Sequence, residues 1–348
     1  MEIYVDSLKH AEIYADIEGE TESLKCIGIG YFIKGDYDKA LEYYIRSFKI
    51  MEKIGNKLGM GETLNNIGGI YLYKYENDKA LNYFARSLKV SEELNEMRKI
   101  GASLNNIGGV YNNKGEYEIA LKYFERSLEV NEKVDNKLSI GNSLNNIGII
   151  YINNSNYDCA MDLLTRAFTI RKEIGDKRGI GDTLNNIGVV YGHKGDYDKA
   201  LDCNANSLRI FDEFGDNFNI AHSLRHFGAL YFYKGDHRKA VEHLEKSLAI
   251  QKEIEYKGIE LVTITFLYLS YKKLAREYDV QEINTLIKEK EHIEFEINYR
   301  LYELLEDITY LETAYNQIQE NAGALEDAKK FLGYPTPKAI VQSWEKLQ

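Results

Sequence analysis

The chain has 348 residues, with 55 acidic against 44 basic side chains and a net charge of −11. Such acidity, with no Lys/Arg cluster, argues against nucleic acid as the main partner, because phosphate binding requires a basic stripe. Cys26, Cys159 and Cys203 lack metal-like spacing, and the Met1 end shows no basic segment followed by an apolar run. A disulfide framework, a signal peptide and a membrane span are therefore not expected, and a cytoplasmic location is.

In chain order, Ser7-Leu8-Lys9 matches Ser87-Leu88-Lys89, so residues 1–20 read as the second helix of a partial or capping repeat. Six repeats of 40 residues follow without insertion or deletion, at 21–60, 61–100, 101–140, 141–180, 181–220 and 221–260. Asn-Asn-Ile-Gly marks four of them, at Asn65–Gly68, Asn105–Gly108, Asn145–Gly148 and Asn185–Gly188. Gly28 to Gly228, Tyr31 to Tyr231 and Ala40 to Ala240 form further columns at the same period. Fixed self-similarity at this length is the mark of a solenoid, whose units contact only their neighbours.

Each repeat reads as two helices. In the third, Leu104, Ile107, Val110 and Tyr111 recur at helical spacing until Lys114-Gly115-Glu116 breaks the pattern. Ala120, Leu121, Phe124, Leu128 and Val130 then line one face of a second helix. The Gly and Ala columns let the two helices approach closely, while Tyr and Phe fill the space beside the crossing. Asn204 stands where other repeats place a large apolar residue, and Tyr75 and Ser155 replace the turn glycine.

After about residue 260 the period fades. Leu261–Tyr271 fits a seventh first helix, with Tyr268 breaking the Gly column. Val280 to Leu325 is acidic and amphipathic, read as degenerate hairpins that cap the stack, with a coiled-coil dimerisation arm over 280–325 as the rival. Both prolines, Pro335 and Pro337, precede a last amphipathic helix with Ile340 and Trp344. The expected fold is thus all-α, a right-handed α-solenoid of helical hairpins closed by a helical cap over 261–348.

Leu104, Ile107, Gly108, Tyr111, Gly115, Tyr117, Ala120, Phe124, Ser127 and Leu128 stand at the spacing of the tetratricopeptide repeat. The usual unit is about 34 residues, and this longer one resembles the kinesin-light-chain type. The tail from Tyr310 to Glu345 resembles the end of the tetratricopeptide region of bacterial adenylate/guanylate cyclase-type signalling proteins. The resemblance implies peptide binding by groove asparagines, matched here by Asn66, Asn106, Asn146 and Asn186.

The chemistry of the amide supports the same reading, since one Asn side chain both donates to and accepts from a peptide main chain. Asn65, Asn105, Asn145 and Asn185 lie about 100° round the helix and are expected either to join them or to brace the neighbouring repeat. The pair becomes Lys25-Cys26 in the first repeat and Arg225-His226 in the sixth, so basic groups at both ends are expected to contact a ligand carboxylate. Tyr73, Asn112, Asn113, Asn153, His193 and Tyr233 complete the expected groove wall.

No phosphate-binding loop, His-Glu-x-x-His or Gly-x-Ser-x-Gly is present, so no enzyme, metal or cofactor is expected. His222 and His226 are four apart on one face but lack the third and fourth ligands a zinc site requires. The expected function is a non-catalytic scaffold holding a protein or peptide segment. The alternatives are the sensory C-terminal half of a bacterial signalling enzyme and a self-associating structural module.

Overall fold

The computed structural model describes Ser7 and residues 17–254, 256, 258–290, 292–325 and 327–348. The expected element at 1–20 lies outside the described residues, apart from Ser7 and 17–20. Six antiparallel hairpins follow: α1 Ile17–Ile33 with α2 Tyr37–Ile54, α3 Lys57–Tyr73 with α4 Asn77–Glu93, α5 Met97–Asn113 with α6 Tyr117–Lys133. Next come α7 Lys137–Asn153 with α8 Tyr157–Ile174, α9 Lys177–Lys194 with α10 Tyr197–Phe214, and α11 Asn217–Tyr233 with α12 His237–Glu253. Within each unit consecutive hairpins pack in sequence, and all elements among the described residues are helical: this is an all-α solenoid. The chain divides into two compact units, residues 1–150 and 151–348.

Within each hairpin the column logic is visible atom by atom. A Cβ on Gly68 or Gly108 would lie 2.7 Å from the ring of Phe84 or Phe124, so the glycine makes room for the aromatic sixteen residues later. A serine column ties the same two helices. Ser87, Ser127 and Ser207 Oγ donate to the carbonyls of Gly61, Gly101 and Gly181, each at 2.8 Å. In the first unit, Ser87 and Ser127 also meet Ser103 and Ser143 of the following repeat at 3.1 and 3.0 Å. These bonds satisfy buried hydroxyls that would otherwise be costly.

The turn between the two helices of a repeat requires positive φ at one residue. Gly35, Gly115, Gly195 and Gly235 supply it, and Tyr75 (φ 58°) and Ser155 (φ 60°) adopt the same conformation. The replacements keep the turn and take on its steric cost, about 1–2 kcal/mol for an L-residue. Asp36, Asp196 and Asp236 then cap the second helix by accepting from the backbone N–H three residues on.

Asn204 is the weak point of the second unit. It is 0% exposed, and neither its Oδ1 nor its Nδ2 has a hydrogen-bond partner. A Cβ on Gly188 would lie 2.5 Å from that Oδ1. Leu164 and Leu244 fill the equivalent position in the flanking repeats. Asn204→Leu, close in size and without polar atoms, is expected to raise stability by about 1–3 kcal/mol, read as a higher urea midpoint.

The tail departs from a simple terminal cap. Its helices are α13 Glu260–Lys273, α14 Val280–Lys288, α15 Phe295–Leu305, α16 Ile308–Gly323, α17 Ala328–Leu332 and α18 Pro335–Glu345. Helix α13 stacks on α12 and is buried on all sides, with Tyr268 turned to Glu282 of α14. The amphipathic stretch over 280–325, expected to form degenerate hairpins, is three helices. It is broken at Asp307, whose carboxylate accepts from Thr309 N–H, and at Glu306 with φ 60°. Ile283, Ile297, Leu301, Leu304, Leu311 and Ile318 are buried in the chain's own core, so the apolar face that a dimerisation arm needs is already used.

Helices α15–α18 then return along the turn edge of the fourth to sixth repeats. Tyr334 meets the ring of Tyr157 edge-on at 5.1 Å, Lys330 Nζ reaches Asp158 at 2.5 Å, and Asn321 Nδ2 donates to Ser155 Oγ at 3.1 Å. Lys272 fixes the end of α15 by donating to the carbonyls of Glu303 and Leu304, a favourable place for a cation at a helix C-terminus.

Candidate functional site

In the first unit the two asparagine columns bind each other. Asn106 Nδ2 donates to Asn65 Oδ1 at 2.9 Å, and Asn146 Nδ2 donates to Asn105 Oδ1 at 3.0 Å. Each rung joins the second Asn of one repeat to the first Asn of the repeat before. Both columns therefore take part in bracing, instead of one column alone. Asn65, Asn66, Asn105, Asn106 and Asn146 remain half-buried, while Asn145 is buried. An amide offers two donors and two acceptor lone pairs, and a rung consumes one of these per side chain.

Two recesses flank the ladder. The larger, about 380 Å³, is lined by Asn65, Asn66, Lys25, Glu62, Arg98 and Lys99 among others. The smaller, about 120 Å³, brings together Gly109, Asn112, Asn113 and Asn146. Lys25 sits 2.7 Å from Glu22 and 3.4 Å from Glu62, and Lys99 also contacts Glu62 at 2.5 Å. Partial burial opposes the Lys25 charge, but the two glutamates outweigh it and hold its pKa up. Burial likewise works against the Glu62 carboxylate, which Lys99 and Lys25 nonetheless hold below its usual range. Lys25 is thus a paired cation, and a ligand carboxylate would share it with Glu62. Glu62, Arg98 and Lys99 escaped the sequence reading because their columns carry other residue types in most repeats.

The second unit treats its share of the expected residues differently. Asn185 is buried with no hydrogen-bond partner for its Oδ1, and Asn186 is half-buried. Arg225 Nη2 donates to His226 Nε2 at 2.8 Å, which requires that nitrogen to be unprotonated. Burial first, and the Arg225 charge second, push the His226 pKa well below its usual value, and lower His222 to about 3. A guanidinium bonded to His226 disfavours a metal cation at this pair of histidines.

Tyr73, His193 and Tyr233 occupy one column at the end of the first helix, and the structure places them in stacks along the turn edge. Tyr73 pairs with Tyr37 at 6.1 Å, His193 with Tyr157 at 4.9 Å and Tyr233 with Tyr197 at 5.6 Å. His193 and Tyr233 are not an open wall: α15 covers them. Tyr233 Oη donates to Glu296, His193 Nδ1 lies 4.0 Å from the same carboxylate, and the Arg300 guanidinium sits 4.9 Å over the Tyr233 ring. Asn113 and Asn153 hold the same column in the third and fourth repeats. The tail contacts were not legible because they join residues more than sixty positions apart with no periodic signal.

No helix among the described residues is long and apolar enough to cross a membrane. No curated protein matches the sequence. Among solved structures, the chain is similar to the apo form of RapI, with 19% identity, a TM-score of 0.61, and coverage of 78% of this chain and 100% of that one. It is also similar to the Rap conjugation gene regulator of plasmid pLS20 in complex with the Phr* peptide, with 15% identity, a TM-score of 0.66, and coverage of 86% and 79%. BtubC (BKLC) from P. vanneervenii gives 21% identity and a TM-score of 0.52 over 62% of this chain and 90% of its own. The tetratricopeptide repeat model matches residues 20–93, 99–173 and 179–253, more than half of the chain. With the hairpin stack and its glycine–aromatic crossings, that match makes the chain a member of the tetratricopeptide repeat family.

Proposed function

We propose that the chain is a non-catalytic interaction scaffold whose first unit holds an extended peptide segment along the asparagine ladder. The observation that carries this reading is the ladder itself. Half-buried amides with hydrogen-bonding capacity beyond the rung run along it, and Asn65 and Asn146 also line the two recesses. They would pair with the main chain of a ligand and make little demand on its sequence. A carboxylate on that ligand would meet Lys25 with Arg98 and Lys99, three cations against Glu22 and Glu62. Arg225 is less suited, because Glu296 and Glu294 already act on its charge. The peptide-bound Rap regulator supports a peptide ligand at the level of fold.

The 40-residue length of the repeat supports a kinesin-light-chain-like type. The tail's resemblance to cyclase-linked regions supports a bacterial signalling role, and the three free thiols support a cytoplasmic one. The return of α15–α18 onto the fourth to sixth repeats favours a regulatory part for the tail, since it couples the C-terminus to three repeats at once.

The test is an affinity pull-down from the native lysate with the wild type beside the Asn106→Ala/Asn146→Ala double variant, followed by titration of the captured partner. The variant is expected to keep its helicity and weaken binding at least tenfold, about 1.4 kcal/mol. Equal affinity combined with a lower urea midpoint would leave the ladder a purely internal brace.

A further inference from the structure

The turn edge that the tail covers in the second unit is repeated in the first, with aromatic side chains exposed. On the fourth and fifth repeats the covered edge consists of the Tyr157–His193 stack, the Lys194–Asp158 ion pair at 2.7 Å, and the tail groups seated on them. Tyr334 packs on Tyr157, which is 2% exposed, and Lys330 takes the second oxygen of Asp158. One hundred and twenty residues earlier, at the equivalent positions, stand the Tyr37–Tyr73 stack and the Lys74–Asp38 ion pair at 2.7 Å. Phe32 extends the stack by meeting Tyr73 edge-on at 4.9 Å. Tyr73 is 50% exposed and Tyr75 54%.

We infer that this edge of the first two repeats is a docking surface for a short lysine- and aromatic-bearing segment of another protein. The chemistry of the occupant is read from the chain itself. A lysine would pair with Asp38 as Lys330 pairs with Asp158, and an aromatic four residues further on, past the end of the short helix, would lie on Tyr37 as Tyr334 lies on Tyr157. Adjacent exposed aromatics beside a carboxylate suit this occupant, because rings bury area at low entropic cost and the ion pair fixes register. A second copy's tail does not fit. Pro335 passes so close to Gly195 that a Cβ there would lie 2.9 Å from its Cγ, and the equivalent residue on the open edge is Tyr75. This surface lies at the turns and is separate from the asparagine ladder, so it stands or falls independently of the ladder reading.

The test uses the full chain and a fluorescent peptide of residues 321–334, which carries Lys330 and Tyr334 and stops before Pro335. Fluorescence anisotropy is expected to show saturable binding. Asp38→Asn, Tyr73→Ala, or Lys330→Glu in the peptide should each weaken it about fivefold or more, whereas Asp158→Asn in the chain should not. Asp38→Asn removes an exposed charge and its surface pair with Lys74 but no buried contact, so it reads the surface even if Tyr73→Ala perturbs the hairpin. Absence of saturable binding would overturn the inference, as would binding that responds to Asp158→Asn and ignores Asp38→Asn, which would mean that the peptide merely displaces the chain's own tail. Self-association of the chain abolished by Tyr73→Ala would assign the surface to a second copy and overturn it equally.

Discussion

Gly108→Leu is expected to destabilise the first unit by about 3 kcal/mol or more, at the upper end of overpacking costs. Even the first carbon of the new side chain would sit 2.7 Å from Cδ1 and Cε1 of Phe124, whose ring is almost fully buried and cannot swing aside. The remaining carbons would push α5 and α6 apart along a crossing that also carries the Ser127–Gly101 hydrogen bond. Gly109 provides the control, since a Cβ there meets nothing within 4 Å. Gly109→Ala should gain about 0.5–1 kcal/mol from helix propensity. Urea denaturation followed by circular dichroism reads both. If the neighbouring glycines respond alike, close helix approach is not what the column supplies.

Arg171→Met is expected to cost about 3 kcal/mol at pH 7.5, and less in acid. Arg171 is 3% exposed, with Nη1 donating to Gly179 O at 2.5 Å and to Thr183 Oγ1 at 2.8 Å, and Nε 3.7 Å from Asp176. Burial raises the Asp182 pKa to about 6, with Arg171 and Arg178 working against the rise. Removing Arg171 leaves those carboxylates without their buried counter-charge, the costly half of breaking a buried pair.

The sign follows from linkage. A carboxyl with a raised folded-state pKa binds more protons folded than unfolded. Its stabilising contribution is full below about pH 4 and is lost as pH rises through about 6. In the wild type this amounts to about 1–2 kcal/mol after allowance for the partial exposure of Asp182. The Arg171→Met deficit should therefore shrink between pH 7 and 5 as Asp182 takes up its proton, and Asp182→Asn should flatten that pH dependence. Urea midpoints that stay parallel across this range would show that Asp182 does not titrate with folding.

The hairpins were legible because their determinants are local and periodic. Gly108 and Phe124 lie sixteen residues apart and recur as Gly68 and Phe84, so one column explains the next. Asp307 followed by Thr309 also carried a helix-start signal, yet the apolar spacing from Ile283 to Leu311 marked hairpins without fixing where their helices begin.

The asparagine ladder was half legible. The sequence marked both columns, but whether Asn106 faces a ligand or Asn65 depends on the rotation of one repeat against the next, which no single repeat encodes. The sequence by itself determined the stack of hairpins, the close crossings and the acidic, motif-poor surface, since these follow from spacing and residue size. Only the tertiary structure decided that α15–α18 return to the edge of Tyr157, His193 and Tyr233, and that Tyr73 of the first unit is half exposed. Those contacts join segments that share no period and are set by which apolar faces remain unpaired once the repeats have stacked.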